Sequence, residues 1–349
     1  MRRVGLPRCS RRVCLIAALI GAGSAVTGYT AAAPAEPLRG VEGVAHVVVI
    51  SIDGLRPDLA LRADMPNLRS LMAAGAFTFW AKTTALSVTL PSHTSMLTGF
   101  TPAKHGIDWN RDLPLREAVY PMRPTVLELA TSAGLVTAMV AGKSKFAALD
   151  KPGTISHVFV PEGLNSSVGD DVVAAKAVEM IDRYRPVLLF VHFPGVDRWG
   201  HESGWGSNEQ LAAISGADEQ LGKVLSALDV AGIRASTAIL VSADHGGAGQ
   251  THGPDDARSR HIPWILSGPG VKPGFDLTQI ESLEIHTEDT AATVCYLLGL
   301  QTGKLDGNPV LAAFLTGKLT LDRPDPIVRS VKNAGSPVGQ KIIRCDLNP

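Results

Sequence analysis

The chain has 349 residues, 45% of them hydrophobic, and 33 basic side chains balance 33 acidic ones for a formal net charge of zero. That length and apolar fraction suit one large α/β domain with an inserted cap, or two domains. The charge balance argues against a polybasic surface for nucleic acid or anionic membrane, and only 5% aromatic residues leave no stacking platform for single strands.

The first 35 residues are basic (MRRVGLPRCSRRVC), then apolar (LIAALIGAGSAVTGY), then small (TAAAPA). That order predicts a signal peptide over residues 1–35 and an exported protein, periplasmic or secreted. Ser10-Arg11-Arg12 before the apolar run is compatible with twin-arginine export; an ordinary secretory signal or an uncleaved anchor are the alternatives. The apolar run is short and broken by glycine, so no stable membrane span is expected in the mature chain. Cys9 and Cys14 fall in this segment. Of the remaining two, Cys295 and Cys345 could form a disulfide in an exported chain, or Cys295, in the apolar pattern TAATVCYLLGL, could be a buried free thiol.

From about residue 40 strand and helix patterns alternate. Strands are predicted over Val44–Ile52, Val136–Ala141, Val187–Phe193, Ser236–Ser242 and Ile262–Ser267. Helices are predicted over Met65–Ala74, Thr94–Thr98, Pro124–Ala133, Asp170–Arg183, Asn208–Leu228 and Thr287–Leu298. The alternation predicts an α/β fold: a mostly parallel central sheet with helices on both faces and small cap insertions. The catalytic domain is placed at 40–322. Residues 323–349, rich in Pro, Gly and charge, read as an irregular extension. Ligands of such sheets bind beyond the carboxyl ends of the strands, and Asp53, Lys143, Asp197 and Asp244 all fall there.

In VVVISIDG, Asp53 follows a buried-strand pattern and could ligate a metal or merely cap a turn. In TLPSH, Thr89 carries a hydroxyl that a metal could activate as a nucleophile; the plain alternative is that it precedes a helix capped by Ser92. Asn110, in HGIDWN, could donate an amide N–H to a phosphoryl oxygen or serve as a turn residue. Lys143 and Lys145, in AGKSKF, alternate so that both could face an anion, or stand as solvated loop lysines. Asp197 and His201 form D-x-x-x-H, an offset that brings both side chains to one side of a helical turn. Asp244 and His245 end the strand STAILVSA. Their joint use of one ion needs a sharp turn at Gly246 and Gly247, after which His252 can swing back. Three Asp and three His delivered to strand ends fit two divalent ions.

Together these residues resemble the alkaline phosphatase superfamily, and within it the type I phosphodiesterase/nucleotide pyrophosphatase family, from about Val47 to Leu300. The resemblance implies one metal held by Asp53, Thr89, Asp244 and His245, and a second by Asp197, His201 and His252. It implies that Asn110 binds phosphate and that the metals are two Zn2+, with other divalent ions possible. The T-L-P-S segment departs from the T-F-P-N of vertebrate members. The P-S-x-x-S-x-L-T-G run is similar to sulfatases, but those need a Cys or Ser convertible to formylglycine, which Thr89 cannot supply. K-S-K is similar to phosphonoacetate hydrolases, where two lysines hold the substrate carboxylate; Lys143 and Lys145 stand in the corresponding place. The expected activity is hydrolysis of a phosphodiester or pyrophosphate bond in a small phosphorylated substrate, through a phospho-threonine at Thr89. Phosphate monoester or phosphonate hydrolysis is the alternative on the same scaffold, and a non-catalytic metal-stabilised binding protein the remote one.

Overall fold

Four apolar, β-branched segments form the centre of the molecule: β1 (His46–Ile52), β3 (Thr137–Ala141), β5 (Leu188–Phe193) and β6 (Thr237–Ser242). Every residue of β3, β5 and β6 is buried, as strands covered on both faces require. The computed structural model describes residues 40–113, 119–253 and 255–315. Within them β2 (Gly75–Lys82), β4 (His157–Phe159), β7 (His261–Ser267) and β8 (Phe275–Asp276) complete an eight-stranded sheet ordered β4-β3-β5-β1-β6-β7-β2-β8. Only β7 runs against the rest, antiparallel to both β6 and β2.

Ten α-helices lie among the described residues: α1 (Pro57–Arg62), α2 (Pro66–Ala73), α3 (Thr89–Thr98), α4 (Pro102–His105), α5 (Val126–Ser132), α6 (Asp170–Tyr184), α7 (Gly195–Ser203), α8 (Asn208–Val230), α9 (Ala257–Arg260) and α10 (Asp289–Leu298). They surround the sheet, with α6 against β3 and β5, α10 against β1, and α2 against β2 and β7. The expected mostly parallel α/β fold is therefore the one observed. No helix of the described residues is long and apolar enough to cross a membrane.

Three details differ from the sequence expectation. β2, in GAFTFWAK, was not foreseen; its pairing with β7 shifts register between Thr78 and Ala81, and Trp80 stands 65% exposed, so no clean period-two pattern marks it. β4 and β8 have three and two residues, too short to carry a pattern. Helix α3 begins at Thr89 rather than Thr94. Pro91 sits in its first turn, where a missing N–H costs nothing. Ser92 is not its cap: the Ser92 hydroxyl donates to the Asp244 carbonyl at 2.7 Å. The cap comes from outside the helix, the Leu90 N–H donating to Asn110 Oδ1 at 3.0 Å.

Register levels the strand ends on one side. Ile52 pairs with Phe193, Ser51 with Ser242, and Ala141 with His192. Asp53, Lys143, Asp197 and Asp244 follow within four residues of these ends and converge there. Cys295 lies buried in α10, where burial pushes its thiol up to about 12; Cys345, the signal segment at 1–35 and the extension at 323–349 fall outside the described residues.

Ile50, fully buried at the middle of β1, should cost about 2–5 kcal/mol when cut to alanine. Val230→Ala, at an 84% exposed position, should change stability by less than about 0.5 kcal/mol. Urea unfolding of both variants checks the assigned centre of the core.

Candidate active site

The loop after β1 carries Asp53 and turns at Gly54. Gly54 has φ +75°, and a Cβ there would lie 2.9 Å from the Asp197 Cα. Only glycine lets this loop press against α7. The Gly54 N–H donates to Asp244 Oδ1 at 3.1 Å, and the Trp205 indole donates to the Gly54 carbonyl at 3.0 Å. Asp197 and His201 lie four apart on α7, with His201 Nε2 3.4 Å from Asp197 Oδ1. After β6 the chain turns through Gly246 and Gly247. Neither has positive φ; what they provide is clearance, since a Cβ would meet the Arg258 carbonyl at 2.1 Å or the Trp205 ring at 2.3 Å. A tight turn then returns His252 to the site, its Nε2 3.5 Å from Asp197 Oδ1.

Each carboxylate has one oxygen engaged and one left bare. Asp53 Oδ2 accepts from His192 Nε2 at 2.9 Å and Lys143 Nζ at 2.7 Å. Asp197 Oδ2 accepts from Lys143 Nζ at 2.5 Å. Asp244 Oδ1 accepts from the backbone of Gly54 and of His245. Among the described residues, Asp53 Oδ1, Asp197 Oδ1 and Asp244 Oδ2 have no hydrogen-bond partner, and neither has His245 Nε2, although all four atoms are buried. A buried polar atom without a partner is costly. Here the orphans face one another: His245 Nε2 lies 3.2 Å from Asp244 Oδ2 and 3.4 Å from Asp53 Oδ1.

The imidazoles sharpen the point. The Nδ1 atoms of His201, His245 and His252 each lie 2.9 Å from a backbone carbonyl, of Gln250, Gly246 and Ser87 respectively. A carbonyl only accepts, so each Nδ1 carries the proton. In the neutral ring Nε2 is then a lone pair aimed at a carboxylate oxygen, an arrangement that calls for a cation between them. Donation of the far ring N–H to a carbonyl is the usual outer support of a metal-bound histidine. Asp53, Asp244 and His245 form one group whose ligand atoms lie within 4.8 Å of one another; Asp197, His245 and His252 form a second. The residues therefore fit divalent ions, with His245 belonging to both groups and His201, outside both, half-exposed beside Asp197 Oδ1.

Thr89 is the first residue of α3 and 1% exposed. Its carbonyl accepts from His93 Nδ1 at 2.7 Å, and that same nitrogen lies 3.3 Å from Asp244 Oδ2. One ring thus separates the Thr89 backbone from the carboxylate cluster. Asn110 Oδ1 accepts from the Leu90 N–H and from Lys145 Nζ, at 3.0 and 3.1 Å, and its NH2 can act only as a donor. Lys143 is not aimed outward: it bridges Asp53 and Asp197 and precedes a 3-10 turn, Ser144–Leu149, instead of continuing a strand. Sequence reasoning missed His93, His192 and Arg56. Arg56 donates to the Gly247 carbonyl at 2.7 Å and so ties the β1 loop to the β6 loop. His93 stood inside the T-L-P-S-H segment already singled out, and His192 is the one polar residue in LLFVHF; polarity inside a buried strand was the available signal.

The field inside the site is uneven. Burial pushes the Asp53 carboxyl up, but the Lys143 charge and the His192 hydrogen bond outweigh it and hold it well below its usual range. Asp244, buried beside the negative Asp53 and Asp197, is raised well above. Burial, reinforced by His252, brings His245 down to about 4. Burial also lowers His252, His93 and His192.

A family model described as type I phosphodiesterase/nucleotide pyrophosphatase matches residues 47–259. Human ectonucleotide pyrophosphatase/phosphodiesterase family member 5 is 26% identical over 215 residues, 57% of this chain and 44% of that protein. The chain thus spans under half the length of that curated relative. An inactive variant of the murine member 5, solved in complex with AMP, superposes with a TM-score of 0.62 at 16% identity, covering 77% of this chain and 98% of that one. A 2-O GAG sulfatase superposes with a TM-score of 0.63 at 15% identity, covering 79% and 75%.

The lowered histidines fix a pH dependence for the metal-free protein. As pH falls below the ordinary value of 6.5, the unfolded chain takes up protons that His245 refuses until about pH 4. His93, His192 and His252 act in the same direction; Asp244, raised, opposes them. Chelator-treated protein should therefore unfold at lower urea at pH 5 than at pH 7, and an equal or higher midpoint at pH 5 would contradict the buried neutral histidines.

Proposed function

Because the chain belongs to the type I phosphodiesterase/nucleotide pyrophosphatase family, we propose that it is a di-zinc phosphohydrolase acting on a small phosphorylated substrate with Thr89 as nucleophile. The observation that carries this is the set of bare oxygens on Asp53, Asp197 and Asp244 facing the Nε2 atoms of three histidines. Asp53, Thr89, Asp244 and His245 would hold one ion, and Asp197, His201 and His252 the other. Bound there, the ions supply positive charge to the phosphoryl and leaving oxygens and lower the pKa of a ligated hydroxyl.

The protein's own groups do the rest. The Thr89 hydroxyl opens α3, so its attack on phosphorus takes place at the positive end of a helix dipole. Asn110, with Oδ1 occupied, presents its NH2 to a non-bridging phosphoryl oxygen. Lys145, held on Asn110, adds positive charge beside the same oxygen. Lys143 keeps Asp53 and Asp197 in place and neutralises part of their charge. Attack forms a phospho-threonine and releases the first product as its oxygen departs with a proton; water then cleaves the P–O bond to regenerate Thr89. The AMP complex of the murine neighbour supports a nucleotide-like diester or pyrophosphate. Lys145 beside Asn110 also favours a second reading, a phosphate monoester or phosphonate carrying one more negative charge. No cysteine stands among the proposed ligands, unlike the Cys-rich closed sites of structural zinc, which weighs against a non-catalytic binding protein. The basic, apolar and small order of the first 35 residues supports export.

Thr89→Ala should abolish nearly all turnover of bis-p-nitrophenyl phosphate while the fold and, at saturating zinc, most of the bound metal remain. Thr89→Ser should retain a measurable fraction, and His201→Ala should lose zinc and activity together. Running p-nitrophenyl phosphate and phosphonoacetate in parallel separates diester, monoester and phosphonate preference. Near wild-type turnover in zinc-loaded Thr89→Ala would refute the covalent route.

A further inference from the structure

Two buried histidines outside the ligand set, His93 and His192, stand directly behind the carboxylates. Their hydrogen bonds define opposite tautomers. The Gly142 N–H donates to His192 Nδ1 at 3.2 Å, so the proton of the neutral ring sits on Nε2, which donates to Asp53 Oδ2 at 2.9 Å. In His93 the proton sits on Nδ1, which donates to the Thr89 carbonyl at 2.7 Å, while Nε2 accepts from the Ser51 hydroxyl at 2.8 Å. Ser51 lies on β1 two residues before Asp53, so His93 pins the first turn of α3 to the strand that delivers Asp53. The two rings meet edge to face at 4.9 Å, and Phe146 packs on both. Neither ring can tilt without losing a buried hydrogen bond.

We propose that His93 and His192 are positioning residues: His192 fixes the Asp53 carboxylate so that Oδ1 is presented, and His93 sets where α3 places Thr89 against Asp244. The proposal rests on the two-metal reading of the site. It assigns the pair two separable effects. Loss of the His192 donor lets Asp53 rotate and weakens zinc binding. Loss of the His93 donor releases the Thr89 turn, weakening zinc and lowering kcat, because Thr89 is both ligand and attacking group in the proposed site.

The test uses near-isosteric amides in the full-length protein. In His192→Gln the amide nitrogen can stand where Nε2 stood, whereas in His192→Asn it falls short. In His93→Asn the amide nitrogen stands where Nδ1 stood, whereas His93→Gln displaces it. Zinc affinity is read by competition with a chromogenic chelator, kcat and KM with bis-p-nitrophenyl phosphate, and folding by thermal melts of the metal-free proteins. His192→Gln and His93→Asn should bind zinc nearly as wild type does. His192→Asn and His93→Gln should bind about 10–100-fold more weakly, with kcat reduced in His93→Gln even at saturating zinc. Equal affinities within each pair, whether both high or both low, would overturn the proposal, since a purely space-filling role does not distinguish the two amides. Wild-type protein that takes up no zinc would overturn the two-metal reading, and this proposal with it.

Discussion

Three carboxylates are buried together at the level ends of adjacent parallel strands, and most of the site's architecture answers that concentration of negative charge. Asp53 and Asp244 are fully buried and Asp197 nearly so. Like charges at this separation in a low-dielectric setting repel strongly. Lys143 neutralises one charge by bridging Asp53 and Asp197, and Asp244, buried beside both negative groups, is held well above the usual carboxylate range. The remaining oxygens and imidazole nitrogens point inward at one another, an arrangement that further positive charge would relieve. The fold thus holds close together groups that repel one another, a cost that bound divalent ions would offset.

Backbone geometry makes that concentration possible. Parallel pairing in register places the residues after β1, β3, β5 and β6 at one height. Gly54 lets the first of these loops press against α7, and Gly246 and Gly247 let the last pass beneath Arg258 and Trp205. Arg56 ties the two loops together. The N-terminal half of α3 is anchored to the same group by Ser92, which donates to the Asp244 carbonyl, and by His93, which bonds Ser51 of β1, and Asn110 caps its first turn. A substitution at Gly54 would therefore act on the chemistry through Asp197 and not only on local stability.

The core strands were legible because HVVVISI, LLFVHF and TAILVS are largely apolar runs, and the convergence of Asp53, Asp197, Asp244 and His245 because these residues follow such runs at one end of a parallel sheet. The existence of β2 was not legible: it pairs with β7 across nearly two hundred residues, and the exposed Trp80 hides its alternation; the antiparallel direction of β7 was not legible because the buried run HIPWILS carries no mark of the direction in which it pairs with β6. The start of α3 was misread because Pro91 looks like a stop signal, yet a first turn tolerates it. Gly246 and Gly247 were expected for conformational freedom, whereas the structure uses their lack of a side chain. Lys143 could not be distinguished from Lys145 by spacing, because the 3-10 turn that begins at Ser144 leaves one facing the carboxylates and the other Asn110.

The central question is whether the bare oxygens and lone pairs surround two ions. Anomalous diffraction at the zinc edge, from crystals of active protein grown with zinc, tests this directly. The predicted result is two peaks, one touching Asp53 Oδ1, Asp244 Oδ2 and His245 Nε2, the other touching Asp197 Oδ1 and the Nε2 atoms of His201 and His252. A single peak, or none at these atoms in crystals of protein that still turns over substrate, would contradict it.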